Sequence, residues 1–368
     1  MVRPLRVPQN EHRATIIDLA RLAGVSKMTV SRALRGERGI SAATRIRIQS
    51  LATELGYRPD PAVSELMGRL RKSRHTGLEP LAWLTHYPAP GGWKSNPGTC
   101  DMYRGAVEQA HKLGYRLEEF SLNTPGMTPK RLSNILYNQG IRGIVLAPLF
   151  EHGGIDDFAW EHFATACCGH SLLSPALHRV SVDQYDVLRT AWKHLIEGGY
   201  KRIGLCVSAN DNERIGHRWQ AVQLVERETT LPDDRVPPML TNDWQPGRFL
   251  QWYKAHRPDV VLSLVEVREW MQNAGIRVPR ECGFALLRRD QARDMAGVDH
   301  RFSDIGASAV ALVVGELTTN QYGIPEVRKS VSIESVWCDG PTLRRPRKLP
   351  AREVQRAVTV AGGIHPGT

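Results

Sequence analysis

The sequence is poor in cysteine and in aromatic residues, and its apolar runs are short. Its 368 residues include 6 cysteines with no CxxC pair. This spacing argues against a disulfide scaffold and predicts reduced thiols, as in the cytoplasm. The longest apolar run, near Ala307–Val314, is shorter than a bilayer requires. The first 13 residues lack the apolar segment of a secretory signal. These absences predict a cytoplasmic location.

Motifs for the common enzyme chemistries are also missing. The chain contains no GxGxxG, GxxxxGK[ST] or GxSxG pattern, and its 13 histidines are dispersed without HExxH. We therefore expect no catalytic residue, no metal site and no cofactor. The alternative is a solute-binding or enzymatic α/β protein with an incidental helical N-terminal domain.

Positive charge is concentrated at the two ends of the chain. The net charge is +11 overall, but +9 for residues 1–75, +5 for residues 341–368 and −3 for the stretch between them. A basic module joined to a near-neutral body predicts that the N-terminal part meets an anionic polymer. Charge alone fits solvated surface as well.

Residues 15–55 carry the signals of three short helices. Thr15 and Asp18 match a capping box, and the apolar residues Ile16, Leu19, Ala20 and Ala23 follow the helical period. Gly24 suits the left-handed turn that ends a helix. Ser26 and Ser41 are candidate caps of a second and a third helix. In the third helix the apolar residues Ile48, Leu51, Ala52 and Leu55 would lie on one face. Helices joined by a tight glycine turn predict a helix-turn-helix.

From residue 81 onward, short apolar strands alternate with amphipathic helices. Predicted strands cover 81–84, 141–149, 178–183, 201–207, 257–265 and 282–287, and predicted helices cover 101–113, 185–198, 213–228 and 267–275. This alternation is typical of parallel sheets with crossover helices, and its length predicts two α/β lobes with a cleft between them.

The stretch TIIDLARLAGVSKMTVSRALRGERGISAATRIRIQSLATELGYRPD resembles the DNA-binding headpiece of the lactose-repressor (LacI/GalR) family of bacterial transcription regulators. The resemblance implies that Lys27, Met28 and Arg32 read base edges. It implies phosphate contacts for Thr15, Ser26, Thr29, Ser31, Ser41, Thr44 and Tyr57. Arg35 stands where many members have Asn, which adds a charge near the DNA.

Residues 61–72 resemble the hinge helix of the family. Leu66 matches the leucine that wedges into the minor groove, where such a side chain kinks the duplex. Asp60 and Val63 depart from the usual Asn and Ala. A basic linker is the alternative interpretation of this segment.

The body resembles the effector domain of the family, which is similar to periplasmic sugar-binding proteins with two lobes and three crossovers. By position, Arg214 matches the ligand-clamping arginine, and Asp183 lies near a crossover where the family reads the ligand or the lobe interface. Trp219, Trp93 and Tyr103 could stack on a sugar, with core packing as the alternative. After the strand at 259–265 the usual Asn-Asp pair is absent, and His217 replaces a common Gly.

The predicted architecture is an all-α helix-turn-helix headpiece with a hinge helix, followed by a two-lobed α/β periplasmic-binding-protein-like domain. Its predicted segments are a flexible N-terminus (1–14), the DNA-binding domain (15–60), the hinge and linker (61–79), the effector-binding and dimerisation domain (80–340) and a basic tail (341–368). The expected function is that of a homodimeric, ligand-responsive regulator, a repressor of near-palindromic operators in double-stranded DNA. The expected effector is a sugar or related metabolite.

Overall fold

The computed structural model describes residues 16–34, 40–55, 57 and 78–344. They divide into two compact units, an N-terminal helical unit and a larger α/β unit that begins at Glu79. The predicted N-terminus, hinge helix and most of the basic tail lie outside the described residues.

The described part of the N-terminal unit contains three helices, α1 (Ile16–Ala23), α2 (Lys27–Leu34) and α3 (Ala42–Glu54). Each helix contributes small or aliphatic side chains to one core, which confirms the predicted apolar stripe of α1. The buried members of this core are Leu19, Ala20, Ala23, Val30, Ala33, Ile48 and Ala52. Leu55, at the C-terminal end of α3, is 39% exposed. Leu55 is the C-cap residue, so it lies past the last turn that packs on the other helices.

The turn between α1 and α2 has the geometry that its sequence predicts. Gly24 has φ +61°, and its amide donates to the carbonyl of Arg21 at 3.3 Å. The amide of Val25 donates to the carbonyl of Ala20 at 3.1 Å. These two bonds form a Schellman motif, which satisfies carbonyls that the helix end would otherwise leave unpaired.

Two six-stranded sheets form the larger unit, one in each lobe. The sheet of lobe 1 has the order β13-β7-β5-β3-β1-β2, and that of lobe 2 has the order β14-β12-β11-β10-β8-β9. Their strands are β1 (Glu79–Thr85), β2 (Tyr115–Ser121), β3 (Gly143–Leu146), β5 (Ala164–Cys168), β7 (His178–Val182), β8 (Ile203–Ser208), β9 (Met239–Thr241), β10 (Val260–Ser263), β11 (Gly283–Leu286), β12 (Gly297–Asp299), β13 (Ser330–Ile333) and β14 (Val336–Cys338). A separate two-stranded sheet pairs β4 (Gly153–Gly154) with β6 (Leu172–Ser174).

Helices connect these strands along the chain. They are α4 (Pro97–Lys112), α5 (Pro129–Asn138), α6 (Gln184–Glu197), α7 (Ala209–Arg214), α8 (Arg218–Thr229), α9 (Pro246–His256), α10 (Val265–Asn273) and α11 (Phe302–Thr319). The chain passes between the lobes three times, after β7, after β12 and after β13. Two lobes with three crossovers confirm the predicted architecture. The sheet of lobe 2 is not wholly parallel, because β14 pairs antiparallel with β12.

The predicted helix over 213–228 is instead two helices, α7 and α8. Gly216 and His217 between them have φ +67° and +58°, so the chain turns there in the left-handed region. The ring Nδ1 of His217 lies 3.1 Å from Nδ2 of the buried Asn212, a contact that helps to hold this non-glycine residue in the turn. The predicted strand at 141–149 is also shorter, since β3 covers only Gly143–Leu146.

Helices α4 and α11 pack through glycines at very close range. A Cβ atom on Gly105 would lie 1.9 Å from the carbonyl oxygen of Ser303, and one on Gly306 would lie 1.8 Å from that of Met102. Among the described helices, α11 alone has the length and apolar composition that could span a membrane. Its backbone contact with α4 shows that this helix packs on lobe 1.

Candidate nucleic-acid interface and ligand cleft

Helix α2 has one buried face and one polar, exposed face. Val30 and Ala33 are fully buried against α1 and α3. On the other side, Met28 is 66% exposed, and Lys27 and Arg32 are also exposed. Met28 and Arg32 are one turn apart and therefore neighbours on the helix surface. The structure thus leaves all three predicted base-reading residues accessible, with Met28 and Arg32 on the same face.

Hydroxyl side chains organise the start of α2. The amide of Thr29 donates to Oγ of Ser26 at 3.1 Å, and the two hydroxyl oxygens lie 2.9 Å apart. Ser26 is therefore the N-cap of α2, as its position predicts. The capped end presents unpaired amides and the positive end of the helix dipole, which suit a phosphate group.

The same Ser-x-x-Thr arrangement starts α3. Ser41 is its N-cap and accepts from the amide of Thr44 at 3.2 Å, while the two hydroxyls lie 2.8 Å apart. Tyr57 packs at the edge of the helical core. Its amide donates to the carbonyl of Ala52 at 2.9 Å. Three predicted DNA-binding residues lie outside the described residues: the phosphate contact Thr15, the added charge Arg35 and the minor-groove wedge Leu66.

Arg214, the predicted ligand clamp, lies at the end of α7 in lobe 2 and reaches lobe 1. Its Nη2 donates to the carbonyl of Leu149 at 2.8 Å, and its Nη1 donates to that of Phe150 at 3.3 Å. Burial lowers the pKa of Arg214, with the nearby Arg288 adding to this effect and Asp211 opposing it. An arginine with this position bridges the two lobes through forked donors, which can exchange carbonyl oxygens for ligand oxygens.

Asp183 lies at the first crossover between the lobes, as predicted. Its carboxylate caps α6 by accepting from the amides of Tyr185 and Asp186 at 2.9 and 3.2 Å. Its own amide donates to the carbonyl of Ile333 on β13 at 3.1 Å. Asp183 therefore connects the first and third crossovers, which is a structural role. Its contact with a ligand stays a prediction.

Of the three aromatic candidates for sugar stacking, Trp93 and Trp219 are buried in the core and Tyr103 is partly buried, which favours the packing alternative. Trp93 is 2% exposed, and its Nε1 donates to Oε1 of Glu119 on the edge strand β2 at 2.7 Å. Tyr103 lies 4.9 Å from Trp93 between ring centroids and 5.5 Å from the buried Trp83. Burial raises the pKa of Tyr103, and Glu119 adds to this effect. Trp219 is 3% exposed within α8.

Sequence reasoning missed a group of basic side chains around the ends of β3, β5 and β7. His152 and His170 follow β3 and β5, and Arg179 lies on β7, where it pairs in register with Cys167. Nη1 of Arg179 lies 3.4 Å from Nδ1 of His170. Arg218, at the start of α8, contributes positive charge from lobe 2. No local motif marks these residues, because they are far apart in the sequence.

Residues 15–60, which include all three described helices of the N-terminal unit, match the family model of bacterial regulatory proteins, lacI family. The N-terminal domain of the chain is that of the lacI family. The lacI-family match covers the capped helices and the exposed face of α2 described above.

Curated lacI-family relatives resemble the chain beyond that domain. The HTH-type transcriptional regulator TreR of Escherichia coli is 40% identical over 193 residues, which are 52% of this chain and 56% of that protein. The sucrose operon repressor of Shigella flexneri is 28% identical over 200 residues, which are 51% of this chain and 54% of that protein. The chain spans about half the length of the curated relatives it matches.

Solved structures of lacI-family type share the fold. A complex described as transcriptional regulator CelR with cellobiose gives a TM-score of 0.52 at 17% identity, over 90% of this chain and 100% of the other. The structure of the lac repressor dimer bound to operator and the anti-inducer ONPF gives a TM-score of 0.51 at 16% identity, with the same coverage of both chains. These similarities support the α/β two-lobed fold assigned above.

Proposed function

We propose that the protein is a ligand-responsive, sequence-specific DNA-binding transcription regulator that acts as a repressor. The observation that carries this proposal is the exposed side of α2, which bears Lys27, Met28 and Arg32. The start of this helix is capped by Ser26. Lysine and arginine can donate to guanine acceptors in the major groove, and methionine can contact a thymine methyl group. The hydroxyls of Ser26 and Ser41 are placed for phosphate oxygens.

We further propose that a small molecule bound between the lobes controls this binding. Arg214 supports this role, because it already bridges lobe 2 to the carbonyls of Leu149 and Phe150 in lobe 1. A ligand that takes over these donors changes the contact between the lobes. It regulates DNA binding only if its affinity differs between the competent and incompetent states.

The regulator is proposed to be a homodimer in the bacterial cytoplasm and to have no catalytic activity. A paired arrangement lets two α2 helices read the halves of a near-palindromic operator. The lac repressor structure with a similar fold is described as a dimer on its operator. Access to the chromosome requires a cytoplasmic location.

The proposed function is tested by selecting duplexes from a random library with the purified full-length protein. The recovered sequence is then measured against a scrambled duplex by fluorescence anisotropy at moderate salt. We expect enrichment of a near-palindromic site and tighter binding to it than to the scrambled duplex. Recovery of no preferred sequence, with and without candidate metabolites, would contradict the proposal. Size-exclusion chromatography with light scattering tests the dimer.

Two substitutions of Ser41 separate its capping role from its proposed phosphate contact. Ser41→Ala removes the acceptor for the Thr44 amide and should lower the stability of the helical unit by about 1 kcal/mol, measured by hydrogen exchange of its amides. Ser41→Asp keeps an equally good cap. Its negative charge should nevertheless weaken DNA binding. Unchanged operator affinity in Ser41→Asp would rule out the phosphate contact.

A further inference from the structure

The basic side chains around the ends of β3, β5 and β7 have an arrangement that neutral ligands do not require. His170 and Arg179 approach each other through Nδ1 and Nη1 at 3.4 Å. Since a guanidinium only donates, Nδ1 of His170 faces it as an acceptor and the ring is neutral. Nη2 of Arg179 donates to the carbonyl of Leu172 at 2.7 Å. Part of this arginine is thereby fixed in place.

Two other buried nitrogens in the same group have no hydrogen-bond partner among the described residues, Nε of Arg179 and Nε2 of His152. Nε of Arg179 can only donate, and a buried donor without an acceptor costs free energy, the more so when the group is charged. Arg179 therefore favours an acceptor that the described protein residues do not supply. Nε2 of His152 donates to the same acceptor once the ring is protonated.

Three arginine charges act on His170. Burial lowers the pKa of His170 to about 4, and the further causes are Arg179, Arg218, Arg328 and His152. Burial also lowers the pKa of His152, and the charge of Arg214 adds to this effect, while a hydrogen bond to the backbone of Arg214 and the charge of Glu213 oppose it. These cations come from both lobes, since Arg218 begins α8 of lobe 2 and Arg328 precedes β13 of lobe 1. Like charges held together are stabilised by an anion placed among them.

We propose that the effector is an anion whose oxyanion group, a phosphate or a carboxylate, is held by Arg179, His170 and His152 of lobe 1 together with Arg218 of lobe 2. This inference rests on the proposed role of the cleft as the effector site. The remainder of the ligand extends toward Arg214, which exchanges its bonds to Leu149 and Phe150 for ligand oxygens. The anion thus draws together basic groups of two lobes that repel each other without it.

The first test measures binding of inorganic sulfate and phosphate to the full-length protein, with acetate as the carboxylate probe. Chloride at matched ionic strength is the reference, and the readouts are thermal shift and isothermal titration calorimetry. We expect specific stabilisation by at least one oxyanion. Arg218→Ala, which changes an exposed side chain, should weaken that binding about tenfold. The matched control is Arg248→Ala on α9, where the arginine forms an exposed ion pair with Asp243. This substitution removes the same charge and should leave oxyanion binding unchanged.

A second readout locates the anion, because the basic N-terminal unit also attracts anions. In NMR titrations, saturation with the bound oxyanion should raise the pKa of His170 from its value of about 4 in the free protein. No difference between oxyanions and chloride, or equal binding by Arg218→Ala, would overturn the proposal. A protein that selects an operator but binds no oxyanion would retain the proposed function and lose only this inference. If the protein bound oxyanions but selected no operator sequence, the result would instead contradict the proposed function.

The dependence of sulfate binding on pH provides a further prediction. Sulfate stays a dianion across the range, so the protein alone accounts for any change. Because the bound anion favours protonated His170 and His152, binding takes up protons, and affinity should rise as the solution is acidified from about pH 7 to about pH 5. The charged groups that act on His170 are Arg179, Arg218 and Arg328, with His152. A flat affinity profile would contradict contact with either imidazole.

Discussion

Arg32→Ala is expected to weaken binding to the selected operator by about 1–3 kcal/mol, which is roughly 5- to 150-fold in affinity. Arg32 is exposed on α2 one turn after Met28, while Val30 and Ala33 on the opposite face hold the helix in the core. Replacing it should therefore leave the helical core intact. An arginine that forks to a guanine discriminates against other bases at that position. The variant should accordingly accept more than one base pair at a single site of each half-operator.

The comparison for this variant is Arg248→Ala, which removes the same charge from α9 of the larger unit. Binding is measured by fluorescence anisotropy on the operator and on a scrambled duplex at two salt concentrations. If Arg32 contacted only phosphates, its replacement would weaken both duplexes equally and would reduce the salt dependence. That outcome would contradict base reading by Arg32. If Arg248→Ala lost as much operator affinity as Arg32→Ala, the loss would reflect the net charge of the protein and not a contact made by Arg32.

The second large effect is expected for Gly306→Ala in helix α11. Its new Cβ would lie 1.8 Å from the carbonyl oxygen of Met102, a backbone atom that cannot move without shifting α4. Overpacking of this kind costs about 1–3 kcal/mol and occasionally more. We expect the midpoint of urea unfolding of the larger unit to fall. The unfolding is monitored by the fluorescence of tryptophans such as Trp83 and Trp93, which pack beside α4.

Gly315→Ala is the matched control, because it makes the same change in the same helix at a position where a Cβ would meet no atom of the described residues within 4 Å. Alanine favours the helical conformation over glycine by up to about 1 kcal/mol. The control should therefore be as stable as the original protein or slightly more stable. Similar losses in both variants would show that the close approach of α4 and α11 is not what makes Gly306 necessary.

Predictions from the sequence succeeded where the signals were local. Gly24 and Ser41 adopt the turn and the cap that their positions predict, because each depends on contacts within a few residues. The helix over 213–228 was predicted wrongly, since apolar periodicity continued across residues that turn in the left-handed region. His217 occupies a position that glycine usually takes. Its bond to the buried Asn212 helps to hold that turn and is not visible as a pattern.

The sequence by itself determined that the chain has a helix-turn-helix unit and a body of alternating strands and helices. Caps, glycine turns and the spacing of apolar residues act over short distances and can be read directly. Only the tertiary structure decided that Trp93 and Trp219 lie in cores, that Arg214 joins the lobes, and that His170 and Arg179 meet beside Arg218. These outcomes depend on the order of the strands and on the three crossovers, which bring residues together from distant parts of the chain.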